Sequence, residues 1–251
     1  MIFLITGSAG FTGKKLVQNL LKNKKNFIYA LDIKKIKIKH QNLIENNIDL
    51  RKKNKLNSVF RKIKKIDYVI HTMALQPTSL DMQLTNFIDA NFLTSTYLLE
   101  NLKNYNIKRL VVCSSFSVYG KPSTLPIYEN SKTMPTNNYG FSKLLMEKAF
   151  EYFSKINNMN VVVLRFDGIY GPNQSLPGFI NMAIKTMKKN EDLVIFNRGA
   201  QLRNQIYIDD VIKSIQLSLK ANLKENYNIF NIAGEKPISN KNLSHKLRNI
   251  L

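Results

Sequence analysis

The sequence predicts an α/β fold: a doubly wound parallel sheet, with a small mixed α/β cap drawn from the C-terminal part. Short apolar, β-branched runs alternate with helical patterns from Ile2 to Arg165. The runs at 67–71 and 109–113 carry continuous apolar centres, Tyr68-Val69-Ile70 and Leu110-Val111-Val112-Cys113, as in strands buried on both faces. The first run passes directly into a glycine-rich turn and then a helix. Crossovers in such a sheet are right-handed.

Residues 2–6 (Ile-Phe-Leu-Ile-Thr) form the first strand, Gly7-Ser8-Ala9-Gly10-Phe11-Thr12-Gly13 follows, and a helical pattern runs from Lys14 to Leu21. A strand, turn and helix in this order can hold a phosphate, because the turn exposes backbone N–H groups and the helix start carries partial positive charge. Gly7 suits the tight turn, Gly10 lets a pyrophosphate approach the backbone, and Gly13 lets the helix lie close to the strand. The spacing G-x-x-G-x-x-G differs from the G-x-G-x-x-G of the common dinucleotide fingerprint. The context strengthens the dinucleotide reading. A second strand, 27–31, ends in Asp32, nineteen residues past Gly13, where an acid can accept hydrogen bonds from an adenosine ribose.

Further along, 67–71 (Asp-Tyr-Val-Ile-His) reads as a strand. Residues 81–104 read as a helix with Leu84, Phe87, Ile88, Phe92, Leu98 and Leu99 on one side. Then come a strand at 109–113, a helix at 139–156 and a strand at 160–165. Regularity loosens after Tyr170-Gly171-Pro172: a loop at 173–177, a helix at 179–189, short strands at 193–196 and 203–207, a helix from Asp209 to Leu219, a strand at 227–232 and a helix at 240–251. Residues 1–170 are therefore expected to form a dinucleotide-binding domain, with a helix at about 208–221 packing back on it. Residues 171–251 are expected to form a small, shortened substrate-binding cap. The cleft between them would lie above the C-terminal ends of the strands.

The 251 residues are enough for a substantial core, and 44% hydrophobic content excludes disorder. The net charge is +21, which raises nucleic acid, an anionic membrane surface or anionic small substrates as partners. The lysines are scattered and not interleaved with aromatics, so a solvated surface is the simpler reading and nucleic acid an unlikely partner. The single Cys113 excludes an internal disulfide and fits a reducing compartment. The first strand starts at Met1 and no apolar run is long enough to span a bilayer. A cytoplasmic protein without a membrane partner is expected, and no metal site.

Tyr139-Gly140-Phe141-Ser142-Lys143 opens a helix and puts Tyr139 and Lys143 on one face. A phenol, with a pKa of about 10, is a poor base at neutral pH. A neighbouring ammonium, and an oxidised nicotinamide, would favour the phenolate and make Tyr139 usable as an acid/base. The competing reading is an exposed pair, with Lys143 bridging to Glu147. The serines of Cys113-Ser114-Ser115-Phe116-Ser117-Val118-Tyr119-Gly120 follow a buried strand, at the same sheet edge. Asn91, a mediocre helix former inside a helix, is a candidate for holding water or a carbonyl near Lys143; otherwise it is a surface asparagine.

With these residues in view, the chain resembles the extended short-chain dehydrogenases/reductases, in the NAD-dependent epimerase/dehydratase group that acts on nucleotide sugars, from Ile2 to about Gly234. The matching stretches are the glycine turn with Asp32; Asn47-Ile48-Asp49-Leu50; His71-Thr72-Met73-Ala74; Asn91; the serine stretch; Tyr139 and Lys143; Leu164-Arg165 through Pro172; and Gln201-Leu202-Arg203 leading to Tyr207-Ile208-Asp209-Asp210-Val211. The resemblance implies a Rossmann sheet, an NAD cofactor, a nucleotide-sugar substrate and a homodimer built on helices 81–104 and 139–156. It makes Ser115, Tyr139 and Lys143 the catalytic set. It assigns the cofactor to Gly7, Gly10, Phe11, Thr12, Gly13, Asp32, Asp49, Leu50, Met73, Ala74, Asn91, Tyr139 and Lys143. Ser115 and Arg203 would contact substrate, the guanidinium suiting a diphosphate; the plainer reading of Arg203 is a surface salt bridge.

The departures from the family narrow the activity. Dehydratases of the group carry an acidic pair just after the catalytic hydroxyl, where this chain has Phe116 and Ser117. The usual Phe-Asn before the Tyr-Gly-Pro turn is Asp167-Gly168, and Leu251 comes early for the family. The expectation is an NAD(P)-dependent 4-epimerase or 4-ketoreductase acting at a sugar carbinol. Asp32 favours NAD, while Lys34 and Lys35 leave NADP open. The rival is a non-enzymatic NAD(P)-binding regulator or RNA-associated protein on the same fold.

Overall fold

The computed structural model describes residues 1–79, 81–174 and 178–251; part of the loop expected at 173–177 lies outside the described residues. In chain order the first half runs β1 (Ile2–Thr6), α1 (Phe11–Leu21), β2 (Phe27–Asp32), β3 (Leu43–Asn47), α2 (Lys53–Phe60) and β4 (Tyr68–His71). A helical stretch follows, made of α3 (Leu84–Phe87), a π-helical segment (Ile88–Leu93) and α4 (Thr94–Leu102). Next come β5 (Arg109–Ser115), a 3-10 turn (Phe116–Val118), α5 (Asn138–Asn157), β6 (Val161–Phe166) and β7 (Ile169–Tyr170). The rest is α6 (Phe179–Lys188), β8 (Leu202–Arg203), β9 (Ile206–Tyr207), α7 (Ile208–Lys220), β10 (Tyr227–Ile232), β11 (Ile238–Ser239) and α8 (Asn240–Ile250).

Seven strands form one sheet in the order β10-β6-β5-β4-β1-β2-β3, every neighbouring pair parallel. The chain winds outward from β1 in both directions, so β1 and β4 flank the topological switch point, where such sheets open a ligand crevice. One face is covered by Leu16, Val17 and Leu20 of α1 with Val211, Ile212 and Ile215 of α7. The other is covered by Leu56 and Phe60 of α2, Leu98, Leu99 and Leu102 of α4, and Met146 and Phe150 of α5. Burial on both faces explains why the central strands read as unbroken apolar runs.

Several expectations change. Helix α1 starts three residues before the sequence pattern, with Gly10 as its N-cap. The strand expected at 193–196 is absent: Phe196–Gly199 is a 3-10 turn, and Val194 and Phe196 are 67% and 79% exposed. Apolar residues without a partner edge do not make a strand. The strand expected at 203–207 is two short pieces. β8 pairs with β11, and β9 with β7, with a break at Asn204 and Gln205. Strand β10 falls in the stretch assigned to the cap, yet it pairs with β6 in the main sheet.

Candidate active site

The glycine turn is built by close approach. Gly7 has φ +69°, and a Cβ there would lie 2.6 Å from the Met73 backbone at the end of β4. A Cβ at Gly13 would lie 2.1 Å from the Gly7 carbonyl oxygen. Side chains would thus push α1 off the turn and the turn off β4. No side chain caps the start of α1, so its first N–H groups keep the partial positive charge that favours an anion. Asp32 closes the turn from the side: its carboxylate accepts from Ala9 N–H at 2.9 Å and Lys34 N–H at 2.8 Å. This cradle fits the pyrophosphate of a dinucleotide.

Beside it, the segment after β4 is held by buried polar groups. His71 shares hydrogen bonds with Thr6 Oγ1 (2.7 Å) and Ser95 Oγ (3.0 Å), and burial, helped by the Lys143 charge, holds its pKa down to about 3. It is neutral. Asn91 is wholly buried in the π-helical segment. Its amide accepts from Leu75 N–H (2.6 Å) and donates to Leu75 O (3.2 Å) and Ser142 Oγ (3.0 Å). It is neither a surface residue nor part of the cleft lining; it pins the segment that does line the cleft.

The third part is the join between β5 and α5. Asn137 caps α5 by accepting from Gly140 N–H at 2.7 Å. A Cβ at Gly140 would lie 2.3 Å from the Ser117 carbonyl oxygen, so the glycine lets α5 press on the 3-10 turn. That contact brings Tyr139 close to Ser115, near enough for the serine hydroxyl to influence the phenol. Gln76 Nε2 donates to Tyr139 Oη at 3.1 Å. Burial raises the Tyr139 pKa, with the Gln76 and Ser115 hydrogen bonds pulling the other way. Lys143 is 1% exposed and donates to the Cys113 carbonyl at 2.6 Å; burial takes its pKa down to about 8. The expected lowering of the phenol by Lys143 is not found: burial raises the phenol, only the Gln76 and Ser115 contacts oppose it, and both Tyr139 and Lys143 lean toward their neutral forms. Nor does Lys143 bridge to Glu147. That carboxylate is buried against Arg165 (2.7 Å) and accepts from Ser114 Oγ (2.5 Å).

These parts meet in one cavity of about 1390 Å³ at the C-terminal edge of the sheet. Gly7, Gly10, Phe11, Thr12, Gly13 and Ala74 line it from the turn side. Ser115, Tyr139, Lys143 and Arg203 line it as well. Among the described residues no carboxylate pairs with Arg203, so the surface salt bridge is not formed. Asp32, Asp49, Leu50, Met73 and Asn91 are not part of the lining. Asp49 is held by a fork from Arg51 at 2.8–3.1 Å. Leu50 is 4% exposed in the core, so its side chain cannot reach a ligand. Gln76 and Gln205 line the cavity without having been singled out in the sequence; a glutamine in a loop carries no spacing signal.

The fold and cavity define a dinucleotide-type α/β protein, and the NAD dependent epimerase/dehydratase family profile matches residues 3–233: the chain belongs to that family. Among solved structures it is similar to UDP-glucuronic acid 4-epimerase from Bacillus cereus, determined in complex with UDP-glucuronic acid and NAD. That similarity has TM-score 0.90 and 26% identity, over all of this chain and 83% of the other. It is 33% identical to dTDP-D-glucose 4,6-dehydratase of Dictyostelium discoideum over 279 aligned residues, covering 98% of this chain and 61% of that one. It is 30% identical to UDP-glucuronate 4-epimerase of Thermodesulfobacterium geofontis over 254 residues, covering 94% and 76%.

Proposed function

We propose that the protein is an NAD-dependent enzyme that exchanges a hydride at a carbinol carbon of a nucleotide sugar, as a 4-epimerase or 4-ketoreductase. The observation that carries this reading is the meeting of Ser115, Tyr139 and Lys143 in the cavity walled by the glycine turn. When bound, NAD supplies the hydride acceptor. Gly7, Gly10, Phe11, Thr12 and Gly13 hold its pyrophosphate and Asp32 its adenosine ribose, and a 2′-phosphate would meet the Asp32 carboxylate, which favours NAD over NADP. Asp49 and the Leu50 backbone, which follow β3, serve the adenine end. Met73 and Ala74 serve the nicotinamide ribose with Lys143, and Asn91 acts through the segment it pins.

Tyr139 Oη takes the hydroxyl proton of the sugar and returns it, while Ser115 orients the sugar oxygen. The Gln76 donor and the Ser115 hydroxyl work against the desolvation that disfavours the phenolate. Arg203 takes the diphosphate. A C5–C6 elimination needs a further acid and base beside the reacting sugar. Phe116 and Ser117 supply neither, which favours epimerase or reductase over the 4,6-dehydratase activity named for one relative. The pairing of subunits through α4 and α5 belongs to this reading as well. Tyr139→Phe should lower turnover of UDP-glucose by about 100-fold or more while NAD binding, followed by calorimetry, is retained. Full turnover in that variant would sink the assignment.

A further inference from the structure

Residue 205 sits between two glycines. On one side, a Cβ at Gly168 would lie 2.4 Å from Gln205 Oε1 and 2.8 Å from its Nε2, so the carboxamide fills the space where a side chain at 168 would be. On the other side, a Cβ at Gly234 would lie 2.3 Å from the Gln205 carbonyl oxygen. The backbone around it is tied down. Asn204 N–H donates to Asp167 Oδ2 at 3.0 Å, and Ile206 N–H donates to the Gly168 carbonyl at 3.0 Å. This is the break between β8 and β9, where the chain leaves one two-stranded ladder and enters the other. The carboxamide itself has no hydrogen-bond partner among the described residues, and it lines the cavity. Its place is near the chemistry: Ser115 and Phe166 are register partners on adjacent strands, and Gly168 lies two residues beyond Phe166.

A half-buried amide that packs over Gly168, on a backbone tied down by Gly234 and its neighbours, and that has no partner among the described residues is pre-organised for a ligand. We infer that Gln205 is a specificity-determining residue of the cleft: its carboxamide hydrogen-bonds a nucleoside-diphosphate sugar, and Gly168 is the residue that makes room for it. An uncharged amide offers a donor and an acceptor together. That suits a sugar hydroxyl or a phosphate oxygen and complements the purely cationic Arg203. The inference rests on the nucleotide-sugar reading above.

The test is calorimetric titration of UDP-glucose and dTDP-glucose into the NAD-loaded protein. Gln205→Ala should weaken the tighter-binding probe by about two- to tenfold, the worth of one hydrogen bond, with NAD affinity unchanged. Gly168→Asn drives a side chain into the volume held by Gln205 and should weaken binding at least as much. The double variant Gly168→Asn/Gln205→Ala returns an amide to that volume from the other side and should bind within about threefold of the unaltered protein, a marked departure from additivity. Unchanged affinity in Gln205→Ala, or a double variant no better than the sum of the two changes, overturns the inference while leaving the nucleotide-sugar reading standing. Failure of the unaltered protein to bind either probe overturns that reading, and the inference with it.

Discussion

Tyr139 is 8% exposed, and its hydroxyl is met by Gln76 and Ser115. Desolvation pushes the phenol up, and the donor from Gln76 pulls it down. Removing that donor leaves desolvation less opposed, so Tyr139 needs a higher pH to serve as base. Gln76→Ala should therefore move the rising limb of the pH–rate profile for carbinol oxidation to higher pH, and cost about three- to tenfold in turnover at pH 7. A profile that stays in place would show that the contact does not tune the phenol. That Ser115, Tyr139 and Lys143 line one cavity was legible, since Tyr139 and Lys143 are one helical turn apart and Ser115 ends an apolar strand. Gln76 was not legible, because it meets Tyr139 across 63 positions of sequence. The balance of charges at Tyr139 was misjudged for the same kind of reason: spacing shows that an amine is near, but not how deeply both groups are buried.

At the scale of elements, the strands and helices of the sheet follow the hydropathy pattern closely, and the exceptions are polar. In the stretch from Leu84 to Leu102, Leu84 is 38% exposed, whereas Asn91, Thr94 and Ser95 are buried. At Asn91 and Ser95 the inward face meets His71, the backbone of Leu75 and Ser142, so at these positions hydrogen bonding and not apolarity selects it. A period-3.6 search for apolar residues cannot see such a face. A second polar join crosses β5, α5, β6 and β10. Glu147 holds Arg165, which donates to Tyr119 Oη at 2.6 Å, which donates to Asn231 Oδ1 at 2.7 Å. Arg165 and Glu147 are 3% and 2% exposed. Glu147→Ala would leave the guanidinium buried without its counter-charge and should cost about 3–5 kcal/mol of stability, read by urea unfolding. A loss under 1 kcal/mol would mean that water reaches Arg165 once the carboxylate is gone.

For the molecule as a whole, the sheet order puts the ends of β1 and β4 side by side, and the Gly7 turn lies against the Met73 backbone across that gap. Alternating apolar runs foretold the sheet, and the glycines foretold which strand starts it. The outer part of the cleft was harder to read. It is assembled from two-residue strands, β7, β8, β9 and β11, too short to carry a period, and β10 returns from among them to the main sheet. The +21 charge is spread over the surface and does not enter the cleft chemistry beyond Lys143 and Arg203. The central claim is that the reaction stays at the sugar carbinol, with a single proton exchanged through Tyr139. Turnover of UDP-glucose and dTDP-glucose in deuterated water, followed by proton NMR of the sugar, tests it most directly. The account predicts a product altered at C4, or a 4-ketone, that retains the C5 proton and the C6 hydroxyl. Solvent deuterium at C5 together with a 6-deoxy sugar would contradict it.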